Sequence, residues 1–167
     1  MKNIIVACDF SSQNEAIETI EQLKDEIFGI KVGLQYVTST GTEGVKSLLK
    51  FNLPIMYDIK ALDIRNTVVE FTKTLKNLKV SYATVHLLNG EKTLKEAVKH
   101  ADNVKLIGIS VLTSFSDETL QKLGFLNNVE KQVERLVKIA SAAELYGVVC
   151  SPREVKMVKK IDPKLAA

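Results

Sequence analysis

Short runs of apolar, β-branched residues recur along this chain, and a longer stretch of helical period follows each one. That alternation restricts the fold to βα units wrapped on a parallel sheet. The strand-like runs are Ile4–Asp9, Gly29–Gly33, Pro54–Lys60, Tyr82–Leu87, Lys105–Leu112 and Gly147–Cys150. Helical stretches fall at Asn14–Glu26, Thr42–Phe51, Arg65–Lys76, Glu91–Ala101, Val129–Tyr146 and Pro152–Ile161, which makes six units. Runs such as Ile4-Ile5-Val6-Ala7-Cys8 are almost continuously apolar, as strands covered on both faces must be. Ser12 and Glu15 stand in capping-box spacing ahead of Ala16, Ile17, Ile20 and Leu23, which share one helix face. Near the end Ser151, Pro152 and Glu154 repeat the device, with Ser151 expected as N-cap and Pro152 at the first helical position.

An open doubly wound sheet and a barrel both fit this pattern. No Gly-x-Gly-x-x-Gly follows the first strand, where the turn reads Asp9-Phe10-Ser11-Ser12, so a dinucleotide site loses its main support. Polar and charged residues instead end several different strands: Asp9, Lys31, Asp58, Lys60 and His86. Strand ends that converge on one site are the mark of an α/β (β/α)8 TIM barrel, and that is the expected fold, as a single domain over residues 1–167. At 46% hydrophobic and 26% charged residues, the chain has the make-up of one globular unit and not of a disordered or fibrous one. A formal charge of only +3, with no basic block, gives no footprint for nucleic acid. No apolar run reaches membrane-spanning length, and Met1-Lys2-Asn3 leads into a strand and not a signal peptide, so no membrane partner and a cytoplasmic location are expected. Cys8 and Cys150 sit in apolar runs without metal-ligand spacing to His86 or His100 and are expected to be core thiols.

The most unusual stretch runs off the third strand: Tyr57-Asp58-Ile59-Lys60-Ala61-Leu62-Asp63-Ile64-Arg65-Asn66-Thr67. Strand alternation puts Asp58 and Lys60 on one face. Two charges on an interior face cost several kcal/mol each to desolvate unless they are paired, roughly the penalty that makes isolated buried ions rare. Lys31 and Asp9, ending earlier strands, are the natural further members, and an alternating array Lys31–Asp58–Lys60–Asp63 would keep every charge compensated while aiming a lysine at a substrate. A solvated salt-bridge cluster at a strand end is the plainer interpretation of Asp-x-Lys-x-x-Asp taken alone.

In sequence order, these strand-end motifs resemble the orotidine 5′-monophosphate decarboxylase family. Ala7-Cys8-Asp9 and Lys31-Val32-Gly33 are similar to its first two strand ends, and Asp58 to Thr67 matches its Asp-x-Lys-x-x-Asp-Ile-x-Asn-Thr signature. Thr84-Val85-His86, Val111-Leu112-Thr113-Ser114 and Gly147-Val148-Val149-Cys150-Ser151-Pro152 with Glu154 follow at the fourth, fifth and sixth strands. Leu62 and Arg65 depart from the residues many members carry, at positions outside the charge array. The resemblance implies a cofactor-free, metal-free decarboxylation of orotidine 5′-monophosphate to UMP in pyrimidine biosynthesis. Lys60 would protonate C6 and Asp58 would sit against the departing carboxylate. Lys31 and Asp9 would hold the ribose hydroxyls, and Thr113 and Ser114 the pyrimidine. His86 would lie on the ribose side or support the array, with a purely structural role as the alternative. Asp63, Ile64 and Thr67 would reach a partner subunit's site, making a homodimer the working unit.

Two other readings remain. Mg²⁺-dependent relatives, 3-keto-L-gulonate 6-phosphate decarboxylase and 3-hexulose 6-phosphate synthase, share Asp-x-Lys-x-x-Asp but resemble sites with a carboxylate at strand two, where Lys31 would repel the ion. A non-catalytic remnant is the other, because the chain reaches Lys164-Leu165-Ala166-Ala167 before the family's last two strand ends. At about 28 residues per unit, eight units would need roughly 220 residues, so units seven and eight are expected to be absent from this sequence. Lost phosphate-binding loops and unpaired edges on the first and sixth strands would follow, with low turnover as the expected result.

Overall fold

The computed structural model describes residues 3–167; Met1 and Lys2, on which part of the signal-peptide argument rests, lie outside that range. Six strands alternate with helices: β1 (Ile5–Cys8), β2 (Gly29–Gly33), β3 (Ile55–Ala61), β4 (Tyr82–His86), β5 (Lys105–Ile109) and β6 (Gly147–Val149). The helices are α1 (Gln13–Leu23), α2 (Leu34–Ser47), α3 (Arg65–Leu78), α4 (Glu91–His100), α5 (Asp117–Lys122), α6 (Val129–Ala142) and α7 (Val155–Ile161). All strand pairs are parallel, and the sheet order is that of the chain, β1 through β6. The result is a curled half-barrel of (β/α)8 type in which the outermost strands, β1 and β6, are not paired with each other. Beyond β6, Ala166 makes a parallel bridge to Gly147, with Val148 N–H donating to Ala166 O at 2.8 Å and Ala166 N–H to Tyr146 O at 3.0 Å.

The core lies between the sheet and the helices. Ile20 from α1, Leu75 from α3, Leu94 from α4, Leu136 and Val137 from α6 and Val158 from α7 pack on Ile30, Val32, Ile55, Ala83 and Leu106 of the strands. Among the described residues no buried side-chain nitrogen or oxygen is without a partner, and no helix is long and apolar enough to cross a membrane.

Several boundaries differ from the sequence reading, for local reasons. The second helix begins at Leu34, immediately after β2, instead of at Thr42. The stretch 34–40 is rich in residues of poor helical propensity, but its hydroxyls bond back to the helix: Thr38 Oγ1 donates to Leu34 O at 2.7 Å and Thr40 Oγ1 to Tyr36 O at 2.8 Å. Gly41 then breaks the helix with φ 65°, and the segment 42–47 continues into a 3-10 turn at Leu48–Phe51. Helix α5, absent from the sequence reading, is capped by Ser116, whose Oγ accepts from Thr119 N–H at 3.2 Å. At the end of the chain the expected cap closes a turn and not a helix. Glu154 accepts from Ser151 N–H at 2.7 Å, and α7 starts only at Val155. The fifth strand ends at Ile109, not Leu112, because the chain turns away at Ser110, whose hydroxyl donates to Val149 O at 3.1 Å. Cys8 is a core thiol, and burial pushes its pKa up to about 11. Cys150, in contrast, is only half-buried and faces a cavity.

Candidate active site

The charged residues meet at the C-terminal ends of β2, β3 and β4. Register pairs Gly33 with Asp58, which brings Lys31, two residues earlier on β2, alongside the β3 carboxylate. Lys31 Nζ lies 3.3 Å from Asp58 Oδ2, and Lys60 Nζ lies 3.0 Å from each Asp58 oxygen. Asp58 is 7% exposed, and the side chains of Lys31 and Lys60 keep 27% and 39% of their surface. One carboxylate is thus held between two ammonium groups that remain open to a ligand. Burial acts most strongly on Asp58 and raises its pKa. Hydrogen bonds from Lys60 and Thr84, followed by the charges of Lys60 and Lys31, outweigh it and leave the carboxyl below the ordinary range.

Lys60 reaches Asp58 by a route that strand alternation does not describe. Tyr57 pairs with Ala83 and Ala61 with Val85, so four steps on β3 are set against two on β4. Lys60 sits in this bulge with φ 53°, in the left-handed region. Two polar residues of β4 and the turn after it support the irregular segment. Thr84 Oγ1 accepts from Lys60 N–H and donates to Asp58 Oδ1, both at 2.9 Å. Asn89 Nδ2 donates to Ala61 O and His86 O at 2.8 Å each, and its Oδ1 accepts from Asp63 N–H at 3.2 Å. The sequence offers Thr84 only as part of the fourth strand's motif, with no role attached, and does not mark Asn89. A threonine in a strand carries no signal of its own, and Asn89 could have been found only as a turn residue beside Gly90.

The remaining candidates are placed less tightly. Asp9 is exposed just past β1; a Cβ built on Gly33 would lie 3.6 Å from its Oδ1 and 3.8 Å from Lys31 Nζ, so both groups come close to this glycine. Asp63 does not join the array as the alternating scheme expects. It lies beyond the bulge, exposed, with its carboxylate accepting from Ile64 N–H at 2.7 Å. Ile64 is 74% exposed and Thr67 is also exposed, both facing away from the chain's own core. His86 is half-buried; its Nδ1 accepts from Leu88 N–H at 3.2 Å, and burial lowers its pKa. Thr113 lines a cavity of about 770 Å³ at the ends of β5 and β6, together with Asp117, Cys150, Ser151, Arg153 and Glu154. Ser114, next to it, is exposed in the same turn. Among the described residues no three of His, Cys, Asp or Glu are grouped to hold a metal ion.

A parallel βα half-barrel with a lysine–aspartate–lysine array at its C-terminal strand ends, and a cavity of mixed polar and apolar lining at the ends of β5 and β6, defines a (β/α)8-type enzyme site. The family model described as "Orotidine 5'-phosphate decarboxylase / HUMPS family" matches residues 2–166, and the chain belongs to that family. It is 40% identical over 162 residues to orotidine 5′-phosphate decarboxylase of Wolbachia pipientis subsp. Culex pipiens, covering 96% of this chain and 72% of the relative. In structure it is similar to orotidine 5′-phosphate decarboxylase from Lactobacillus acidophilus, with TM-score 0.91 and 29% identity over 99% of this chain and 79% of that one. The enzyme from Methanocaldococcus jannaschii, solved in complex with the inhibitor BMP, superposes with TM-score 0.81 and 26% identity over 98% of this chain and 75% of that one.

Proposed function

We propose that the chain decarboxylates orotidine 5′-monophosphate to UMP, as a carboxy-lyase of pyrimidine biosynthesis in the cytoplasm, with Lys60 as proton donor. The observation that carries this reading is Lys60 Nζ, held 3.0 Å from both oxygens of a buried aspartate while its side chain stays 39% exposed. The substrate's carboxylate would lie against Asp58. As the C6–carboxylate bond breaks, its electron pair stays on C6 and carbon dioxide leaves. A proton passes from Lys60 Nζ to C6, and the neutral amine regains one from solvent. Fixed ammonium groups facing a developing carbanion stabilise it without reorganising, so the scheme calls on no metal or organic electron sink.

Lys31 and Asp9, both close to Gly33, would take the ribose hydroxyls. Thr113 and Ser114 would meet the pyrimidine, with His86 at the ribose side. The family also takes in sugar-phosphate enzymes. Lys31 argues against a Mg²⁺ site here, because its ammonium stands 3.3 Å from the carboxylate such an ion would need. A homodimer in which Asp63, Ile64 and Thr67 enter the partner's site is supported by their exposure and by that of the apolar neighbour Leu62, 52% exposed.

Carbon dioxide release from orotidine 5′-monophosphate tests the reading. Lys60→Ala is expected to lower turnover by roughly 10²–10⁴-fold with the fold intact, the span typical of a lost general acid. Lys31→Ala should act more on KM. A Lys60→Ala protein that keeps most of its turnover would remove the proton-donor assignment.

A further inference from the structure

We infer that Thr84 is a positioning residue whose single hydroxyl holds Lys60 and Asp58 in register with each other. It is fully buried on β4, opposite the bulge of β3. The direction of both bonds is forced. A main-chain N–H can only donate, so Thr84 Oγ1 accepts from Lys60; an ionised carboxylate can only accept, so the hydroxyl proton goes to Asp58 Oδ1. The same Asp58 oxygen receives Lys60 Nζ at 3.0 Å, so the contacts close a ring that starts and ends on Lys60. Lys60 rests in a left-handed conformation that L-residues with side chains avoid, and such strain persists only where neighbours over-determine it. Valine in place of Thr84 would fill the same space as well as any core residue, so packing does not account for the hydroxyl. Both of its bonds end on the two residues whose separation the chemistry depends on.

The charged and titratable groups around Asp58 are Lys31 from β2, Lys60 from its own strand and, more distantly, His86 from β4 and Asp9 beyond Lys31. Removing the Thr84 hydroxyl changes none of these charges, so its effect can be read separately from theirs. The measurements are steady-state kinetics of Thr84→Val and Thr84→Ser, and the titration of Asp58 followed by the ¹³C signal of its side-chain carboxyl. Thr84→Val is expected to lower kcat by about tenfold or more with KM changed by less than about threefold, as for a misplaced reacting group. The Asp58 midpoint should rise, and Thr84→Ser should recover kcat to within about threefold. Thr84→Ala, read in the same way, replaces the valine variant if that protein does not fold. The rate measurement rests on the decarboxylase reading, whereas the titration does not. If the unsubstituted chain releases no carbon dioxide but the Asp58 midpoint still moves in Thr84→Val, the functional reading fails and the positioning role stands. Unchanged kcat together with an unmoved midpoint, or a serine variant no better than valine, overturns the role of Thr84.

Discussion

His86 is one of only two histidines in the chain, and its surroundings fix its tautomer. Because Nδ1 accepts from Leu88 N–H, the neutral ring carries its proton on Nε2, and charging the ring would break that bond. Burial lowers its folded pKa below the ordinary 6.5. Between the folded and unfolded values the unfolded chain binds more protons, so this group's contribution to stability is complete above about pH 6.5 and is lost as the pH falls through the folded value. Urea unfolding midpoints measured from about pH 7.5 down to about pH 5 should therefore fall more steeply for the unsubstituted protein than for His86→Gln. Parallel slopes would show that the ring is not held neutral. Asp58 follows the same sign at a more acid pH. Its depressed pKa gives stability that is present above the ordinary carboxylate value of about 3.9 and is lost as the pH falls through the folded value. Lys31, Asp58 and Lys60 were legible as a group in the sequence because charges ending adjacent apolar strands have to be compensated. Thr84 entered only as part of the fourth strand's motif, without a role, because a β-branched residue in a strand is unremarkable until its hydroxyl is seen to have two partners. Spacing places Asp63 near the array, whereas within its own chain it lies beyond the bulge with its carboxylate on Ile64 N–H.

At the scale of elements, the six strands and their order were readable from β-branched runs and intervening helical periods, whereas their irregularities were not. The bulge in β3 is invisible to a rule of strict alternation. The first half of α2 was hidden by hydroxyl-rich residues whose back-bonding depends on the helix already being there. Gly147 shows how one small residue shapes an edge. A Cβ there would come to 2.5 Å from Ala166 O and 2.8 Å from Ala166 Cβ, both too short to tolerate. Gly147→Ala should displace residue 166 from its bridge to β6 and cost about 1–3 kcal/mol, the usual range for overpacking a close-fitted site. Urea unfolding gives the loss, and faster amide exchange at Val148 and Ala166 locates it. Full stability with unchanged exchange would mean that the edge can shift to admit a methyl group.

For the molecule as a whole, the exposed apolar residues Leu62, Ile64, Leu88 and Leu126 stand on the same end of the sheet as the array. If a second copy covers them and receives Asp63, two inactive chains can repair each other. Mixing Lys60→Ala with Asp63→Ala protein should restore activity well above either parent, since one of the two sites in a mixed dimer has both native residues. Subunit exchange shown by mass without recovered activity would place Asp63 in its own chain's site. The strict sequential order of the sheet also bears on how the site is built during synthesis. Every contact within the Lys31–Asp58–Lys60–Thr84 cluster lies within β3 or between strands adjacent in the chain, and Asn89 is the last residue needed to brace it. As a chain leaves the ribosome amino end first and pairs each strand with the one before, the charged cluster has all its members before β5 and β6, which supply the cavity wall, have been translated. The nascent protein thus acquires its reactive groups first and the walls of its cavity afterwards.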